Sequence, residues 1–328
     1  MWKTTVRRLI ILIPQLIGVT MVVFILASFL PGDPLTGGWA GTEDGDDPLM
    51  QERIEELRER FGLNDPWPVR YGRWIGNMFR GDFGRSLVHF RPVTELMGER
   101  MPNTLLLSVM SVIIVYSFAL PLGLIAGRYR GKLPEKVISS YNFIQMSFPV
   151  AAFAVLLLWF FAIYLRWLPL SGSVDVRVIA SGSAFEIWVS RIRHALLPAL
   201  AGSLLAGVGI IQFLGNEINE QKNQDYTTLA RSKGVPMGHV YRKHIFRNAI
   251  LPIVAGFGAV ITGLFGGAVI IENIFIYNGM GRLFIEALGT NDWAVVNFLV
   301  LFYAALTIIG VLISDISLTV FDPRIRIK

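Results

Sequence analysis

The chain has 328 residues, 53% of them hydrophobic and only 16% charged, with a mean hydropathy of +0.53. Ordinary soluble domains carry about 25% charged residues, so this composition excludes that class and marks a membrane protein. The absence of cysteine excludes disulfides and thiolate metal ligands, and the net charge of +6 traces to loop positions given below, so it carries no nucleic-acid inference.

Six apolar runs are long enough, at roughly 20 residues, to cross about 30 Å of hydrocarbon. They are Leu9–Leu30, Thr104–Ala126, Ile138–Leu165, Leu196–Gly215, Ile250–Ile271 and Val295–Leu318. The first follows Lys3, Arg7 and Arg8 as a signal peptide would, but it is too long for an apolar leader core and Ala27-Ser28 is a poor cleavage site, so it reads as a retained span. Pro31-Gly32-Asp33-Pro34 then breaks the helix. Asp47-Pro48 reads as an N-cap and a first-turn proline for a short amphipathic helix with Met50, Ile54, Leu57 and Phe61 on one face, a Glu56–Arg60 pair, and Gly62 as its stop. Beyond it, Trp67, Tyr71, Trp74, Phe79 and Phe83 alternate with arginines, which suits either the headgroup layer or a small packed external cap.

Gly123 and Gly127 in the second span, and Gly263 and Gly267 in the fifth, have the spacing that lets helix backbones approach closely. The third span contains Asn142, Gln145 and Pro149, tolerated where a helix faces other helices. Glu217, Glu272, His194 and Asp315 fall near span ends, where they are expected to reach the interface, so no midplane ion site is visible.

Charge fixes the orientation. Lys3 to Arg8, Arg128 to Lys136, Lys222 to Arg247 and Arg324 to Lys328 all fall on one side of a six-span chain, which the positive-inside rule makes cytoplasmic. Both termini are therefore expected inside. The long segment from Pro31 to Arg100 is external.

Chemical motifs fail one by one. Gly127 to Lys132 ends in Gly-Lys, but Ala126 and Leu133 stand where a phosphate-binding loop needs glycine and a hydroxyl. Gly256-Phe-Gly258 and Gly279-Met-Gly281 lack the third glycine of a dinucleotide fingerprint. His239 and His244, five apart, are expected on different helix faces, and no serine lies in a nucleophile elbow. Acting alone, the chain has no recognisable catalytic apparatus.

One polar, basic stretch interrupts the apolar C-terminal half: Gln224 to Pro252. Tyr226, Leu229 and Ala230 recur at helical spacing, Arg231 and Lys233 suit a helix C-terminus, Gly234 offers a stop, and Pro236 can open a second helix with Val240, Tyr241 and Ile245 on one face. Pattern alone leaves a helix–bend–helix element and an ordinary solvated loop both open.

Asp225-Tyr226, Ala230 through Gly234, Phe246 through Ala249 and Leu251-Pro252 closely resemble the EAA loop of ABC importer permeases of the dipeptide, oligopeptide and nickel family. FGLNDPWPVRYGRWIGNMFRGDFGRSL from Phe61, RMPNTLLLS from Arg100, Pro149 with LRWLPLSG from Leu165, HALLPAL from His194, IIENIFIYNGMGRL from Ile270 and FDPRIR from Phe321 resemble that family's stations in the same order. The resemblance implies an all-α polytopic membrane protein with the type I importer permease fold, six transmembrane helices and cytoplasmic termini. Residues 1–30 would be the N-terminal tail and first helix, 31–100 the external segment, 101–321 the five-helix core with its coupling loop at 218–250, and 322–328 the C-terminal tail.

The resemblance also implies a function: the B-type subunit of an ATP-driven peptide importer, or of the same machinery carrying nickel or another small solute, in a bacterial or archaeal cytoplasmic membrane. Implied partners are a second homologous permease, two cytoplasmic ABC ATPases that hold ATP and magnesium, an extracytoplasmic binding protein, the peptide and the bilayer. No cofactor or metal is expected in this chain. The coupling residues implied are Asp225, Tyr226, Leu229, Ala230, Arg231, Lys233, Gly234, Arg247, Asn248 and Pro252, with Tyr226, Leu229 and Ala230 as an apolar docking face. Thr228 stands at the loop's name-giving glutamate, and Gln224 where relatives often have glutamate. The residues lining the substrate pathway are not legible.

Overall fold

The computed structural model describes residues 14–15, 17–22, 24–26, 52, 55–56, 59, 64–86 and 88–321, the side chains of 259–268 and 315–321 excepted. Described residues of the first run, between 14 and 26, are helical, as are Glu52, Glu55, Glu56 and Glu59 of the expected amphipathic helix. The Asp47-Pro48 cap, Arg60 and the tail from Asp322 lie outside the described residues, as does the surroundings of the Gly263–Gly267 pair.

Twelve α-helices follow among the described residues: α1 (Trp67–Phe79), α2 (Val93–Arg128), α3 (Leu133–Ser147), α4 (Val150–Leu158), α5 (Val176–Ser181), α6 (Ala184–Lys222), α7 (Asp225–Ser232), α8 (Met237–Val240), α9 (Phe246–Ala249), α10 (Leu251–Ile274), α11 (Met280–Gly289) and α12 (Trp293–Phe321). Two π-helical segments, Trp159–Tyr164 after α4 and Tyr241–Ile245 between α8 and α9, complete them. The chain is all-helical where described, its extended pairing confined to an isolated Arg85–Pro92 bridge. Three of these helices, α2, α6 and α12, are long and apolar enough to cross a membrane, and α3 with α4 makes a fourth if that bent pair is one span.

The third run differs from a single straight span. α3 and α4 change direction by 100° across Phe148-Pro149. The cause is local: Pro149 has no N–H to continue α3, and the residue before a proline is pushed out of the helical region, as Phe148 is at φ −94, ψ 128.

The chain divides into two compact units. In one, comprising Met1–Pro102 and Asn278–Ile308, Val93, Leu96 and Met97 of α2 pack with Met280, Leu283 and Ala287 of α11 and with Val295, Val296 and Leu299 of α12. α1 is opened by Pro66 and Pro68 and lays Tyr71 and Trp74 against Phe24, with ring centroids 5.4 and 6.1 Å apart. Tyr71 and Trp74 thus pack on the first run, Phe83 packs on Phe298 of α12 with ring centroids 4.6 Å apart, and Phe79 stays 86% exposed. Buried Ser86 donates a short hydrogen bond to buried Asp292.

The other unit comprises Asn103–Tyr277 and Ile309–Lys328. Its axis is α6, started by a reciprocal Ser183–Glu186 capping box and running 39 residues through Pro198. The Gly123–Gly127 pair of α2 serves close packing on α6: a Cβ at Gly127 would lie 2.6 Å from Ile218 Cβ, and one at Gly123 2.9 Å from Leu214 Cβ. Gly258 of α10 meets the backbone of α12 at Gly310 more closely still, leaving no room for a Cβ. Glu272 does not reach the interface as expected. It is fully buried, and Thr104 Oγ1 donates to its carboxylate at 2.8 Å. Beside it the end of α10 closes with Tyr277 N–H donating to Glu272 O and Ile276 N–H to Asn273 O, while the Tyr277 hydroxyl donates to Asn103 O at 3.1 Å.

Candidate coupling surface

α7 follows α6 after a two-residue turn, Asn223-Gln224, with Gln224 extended at the N-cap (φ −73, ψ 149) and Asp225 in the first turn, where the helix dipole favours a negative charge. Two side chains clamp the turn. Thr227 Oγ1 donates to Gln221 O at 2.8 Å, and the Tyr226 hydroxyl donates a short hydrogen bond to the Gln221 amide oxygen.

The helix stops where the sequence says. Gly234 sits at φ +73, its N–H donates to Arg231 O, and Val235 N–H donates to Ala230 O. This pair of bonds is the Schellman stop, which needs a left-handed residue at the glycine position. The accompanying apolar contact is also present, because Val235 and Ala230 share a cluster with Leu214 and Ile218 of α6 and with Val240, Ile245 and Ala249.

That cluster overturns the expected docking face. Ala230 is only 8% exposed and points into its own bundle, and Tyr226 is part-buried against Gln221. Of the three, only Leu229 faces outward, at 57% exposure. A short amphipathic helix offers two stripes one residue apart, and the apolar stripe here is consumed by α6. The outward surface consists of Asp225, Thr228, Leu229, Arg231, Ser232 and Lys233.

The second half opens at Pro236 and is not one regular helix. After one α-turn the chain makes π-type bonds over Tyr241–Ile245 before α9 and α10. The five-residue step of a π-turn brings Val240 and Ile245 to the same buried side, both fully covered, with Ala249 next. It also corrects the expectation for the histidines: His239 and His244 sit on one side with ring centroids 6.5 Å apart. Arg247 is exposed, Asn248 donates to His244 O at 2.9 Å, and Pro252 lies exposed in the first turn of α10. Arg128 at the end of α2 lies 5.2 Å over the Tyr241 ring. All ten expected residues therefore lie between α7 and the first turn of α10, but on two surfaces, one outward and one turned to the bundle. Thr227 and Gln221, which hold α7, were missed by the sequence reading. A hydroxyl two residues into a helix, next to a polar turn, was the available signal.

Among the described residues no group of three or more histidines or acids is placed to hold a metal. Chemically, the surface can bind a protein partner through an exposed leucine ringed by polar and basic side chains, and it is covalently continuous with α10.

Residues 119–327 match the family described as binding-protein-dependent transport system inner membrane component. Over its whole length the chain is similar to three curated permeases. The oligopeptide transport system permease protein AppB of Bacillus subtilis is 35% identical, with 98% of each chain covered. A putative peptide permease protein of Brucella ovis is 33% identical, with 100% of each chain covered. The glutathione transport system permease protein GsiC of Salmonella typhimurium is 31% identical, again with 100% of each covered.

Proposed function

We propose a role for this chain from one premise: it belongs to the family of binding-protein-dependent transport system inner membrane components. It is a permease subunit of an ABC importer for peptides, and its own work is mechanical. Relatives named for oligopeptide and glutathione transport, similar from end to end, support peptides over nickel or another small solute. In this reading the first run, α2, the α3–α4 pair, α6, α10 and α12 are six spans with cytoplasmic termini, in the cytoplasmic membrane of a bacterium or archaeon. Residues 31–100 are external and 218–250 form the cytoplasmic coupling loop.

A second permease, two ATPases and an external binding protein complete the machine. ATP and magnesium sit on the ATPases, and this chain hydrolyses nothing. The observation that carries the coupling role is the two-faced α7: Thr227, Ala230 and the Schellman stop fasten it to α6, leaving Leu229, Arg231 and Lys233 to an outside partner. An ATPase moving α7 therefore moves α6 and, through α8, α9 and the π-turn, α10.

Replacement of Leu229 by aspartate tests this. Its side chain is exposed, so the chain is expected to insert and pair with its permease partner, while ATPase recovery on copurification and peptide uptake both fall to background. Undiminished uptake by Leu229→Asp would remove α7 as the coupling surface.

A further inference from the structure

We infer that the corner between α3 and α4 lies near half depth in the membrane and lines the water-filled route taken by the peptide, an inference that rests on the importer reading above. The two limbs, Leu133–Ser147 and Val150–Tyr164, diverge by 100°. At about 1.5 Å per residue each limb is roughly 22 Å long. A change of direction that large leaves their far ends roughly 28 Å apart, close to the hydrocarbon thickness of about 30 Å. The pair thus reaches across as one bent span. A re-entrant loop would instead put the basic segments Arg128–Lys136 and Lys222–Arg247 on opposite sides, against the charge rule.

At the corner the backbone is open. Phe148 is extended, Pro149 has no N–H and gives no side-chain cap, and an α-helix leaves its first N–H groups and last carbonyls without intrahelical partners. Hydrocarbon satisfies none of these groups, so irregular backbone at this depth occurs only where protein or water covers it. The bundle leaves the corner uncovered: Phe148 and Val150 are each 41% exposed, and Ala151 and Ala152 are exposed too, while Asn142 and Gln145 of α3 turn inward.

A second feature lies beside it. Gln212 of α6 is exposed, with its amide nitrogen 3.4 Å from Met146 Sδ on α3. An exposed amide at this depth is poor company for lipid and good company for water. The passing occupant that matches open backbone groups and amides is a peptide, whose own backbone presents the same donors and acceptors.

The lack of native cysteine makes the route accessible to chemical mapping. Ala151→Cys and Gln212→Cys are introduced singly into the full transporter, with cysteine-free partners, in proteoliposomes. Ile113→Cys on α2, at a site 61% exposed on an apolar face, is the comparison. Peptide uptake by the parent complex is measured first. Its absence would sink the importer reading, whereas uptake with a failed labelling pattern sinks only the corner assignment. A charged thiol reagent is expected to label both variants at least about tenfold faster than Ile113→Cys, since charge does not enter hydrocarbon, and transported peptide is expected to slow that labelling. Labelling no faster than at Ile113→Cys, labelling indifferent to peptide, or cross-linking of Ala151→Cys to the second permease without peptide protection would each overturn the assignment.

Discussion

Several helix ends in this chain use the same stop with very different residues, among them those of α7 and α10. α7 ends with Gly234 in the left-handed region, and α10 ends with Ile276 there, at φ 50, with the matching pair of backbone bonds. A left-handed conformation costs an L-residue roughly 1–2 kcal/mol, and a β-branched side chain suffers most. Gly234→Ala is therefore expected to destabilise the loop by about 1–2 kcal/mol, read as a lower Tm of the purified complex, with Gly234→Pro worse because its nitrogen also loses the bond to Arg231 O. Ile276→Asn is expected to raise Tm, because asparagine tolerates the left-handed region; a fall in Tm would show that the isoleucine side chain is needed there. A third residue-scale test concerns Glu272. Thr104→Val removes a 2.8 Å donor from a fully buried carboxylate, a loss of about 1–3 kcal/mol, while an exposed change such as Thr228→Val leaves Tm unmoved.

At the scale of elements, helix crossings and the bent span separate what local pattern can carry from what it cannot. The Gly-x-x-x-Gly spacing pointed to a close approach, and Gly127 stands where any Cβ would meet Ile218 Cβ at 2.6 Å. Gly127→Ala is expected to push α2 from α6 at a cost of about 1–3 kcal/mol, seen as weaker thermal stability and lower uptake together. The stop at Gly234 was legible because glycine takes the left-handed region without strain, whereas the same stop at Ile276 carries no such signal in the sequence. The facing of α7 was not. Tyr226, Leu229 and Ala230 share a helical stripe in sequence, but which edge of it is buried depends on Leu214, Ile218 and Val240, which belong to other helices. A 3.6-residue period separates His239 from His244, but the chain makes a π-turn there, whose wider step returns them to one side. Hydropathy found the third run yet is blind to direction, so the 100° corner came only from Pro149's geometry acting on Phe148.

For the whole molecule, composition and apolar runs sufficed to identify a polytopic helical protein, and the ordered motifs identified its family. The proposed path of force from α7 into the bundle was hidden, because it runs through contacts between separate helices. Fastening on one side and exposure on the other is what a transmission element requires: a surface free to bind, and no slack behind it. The most direct measurement is peptide uptake and binding-protein-stimulated ATP hydrolysis by the reconstituted transporter carrying Leu229→Asp, beside Thr227→Val, which leaves the outer surface intact but cuts the tie to Gln221 O. The account predicts that Leu229→Asp loses the ATPase and so both activities, while Thr227→Val retains the ATPase and its hydrolysis but loses uptake. Full uptake in either variant would contradict it.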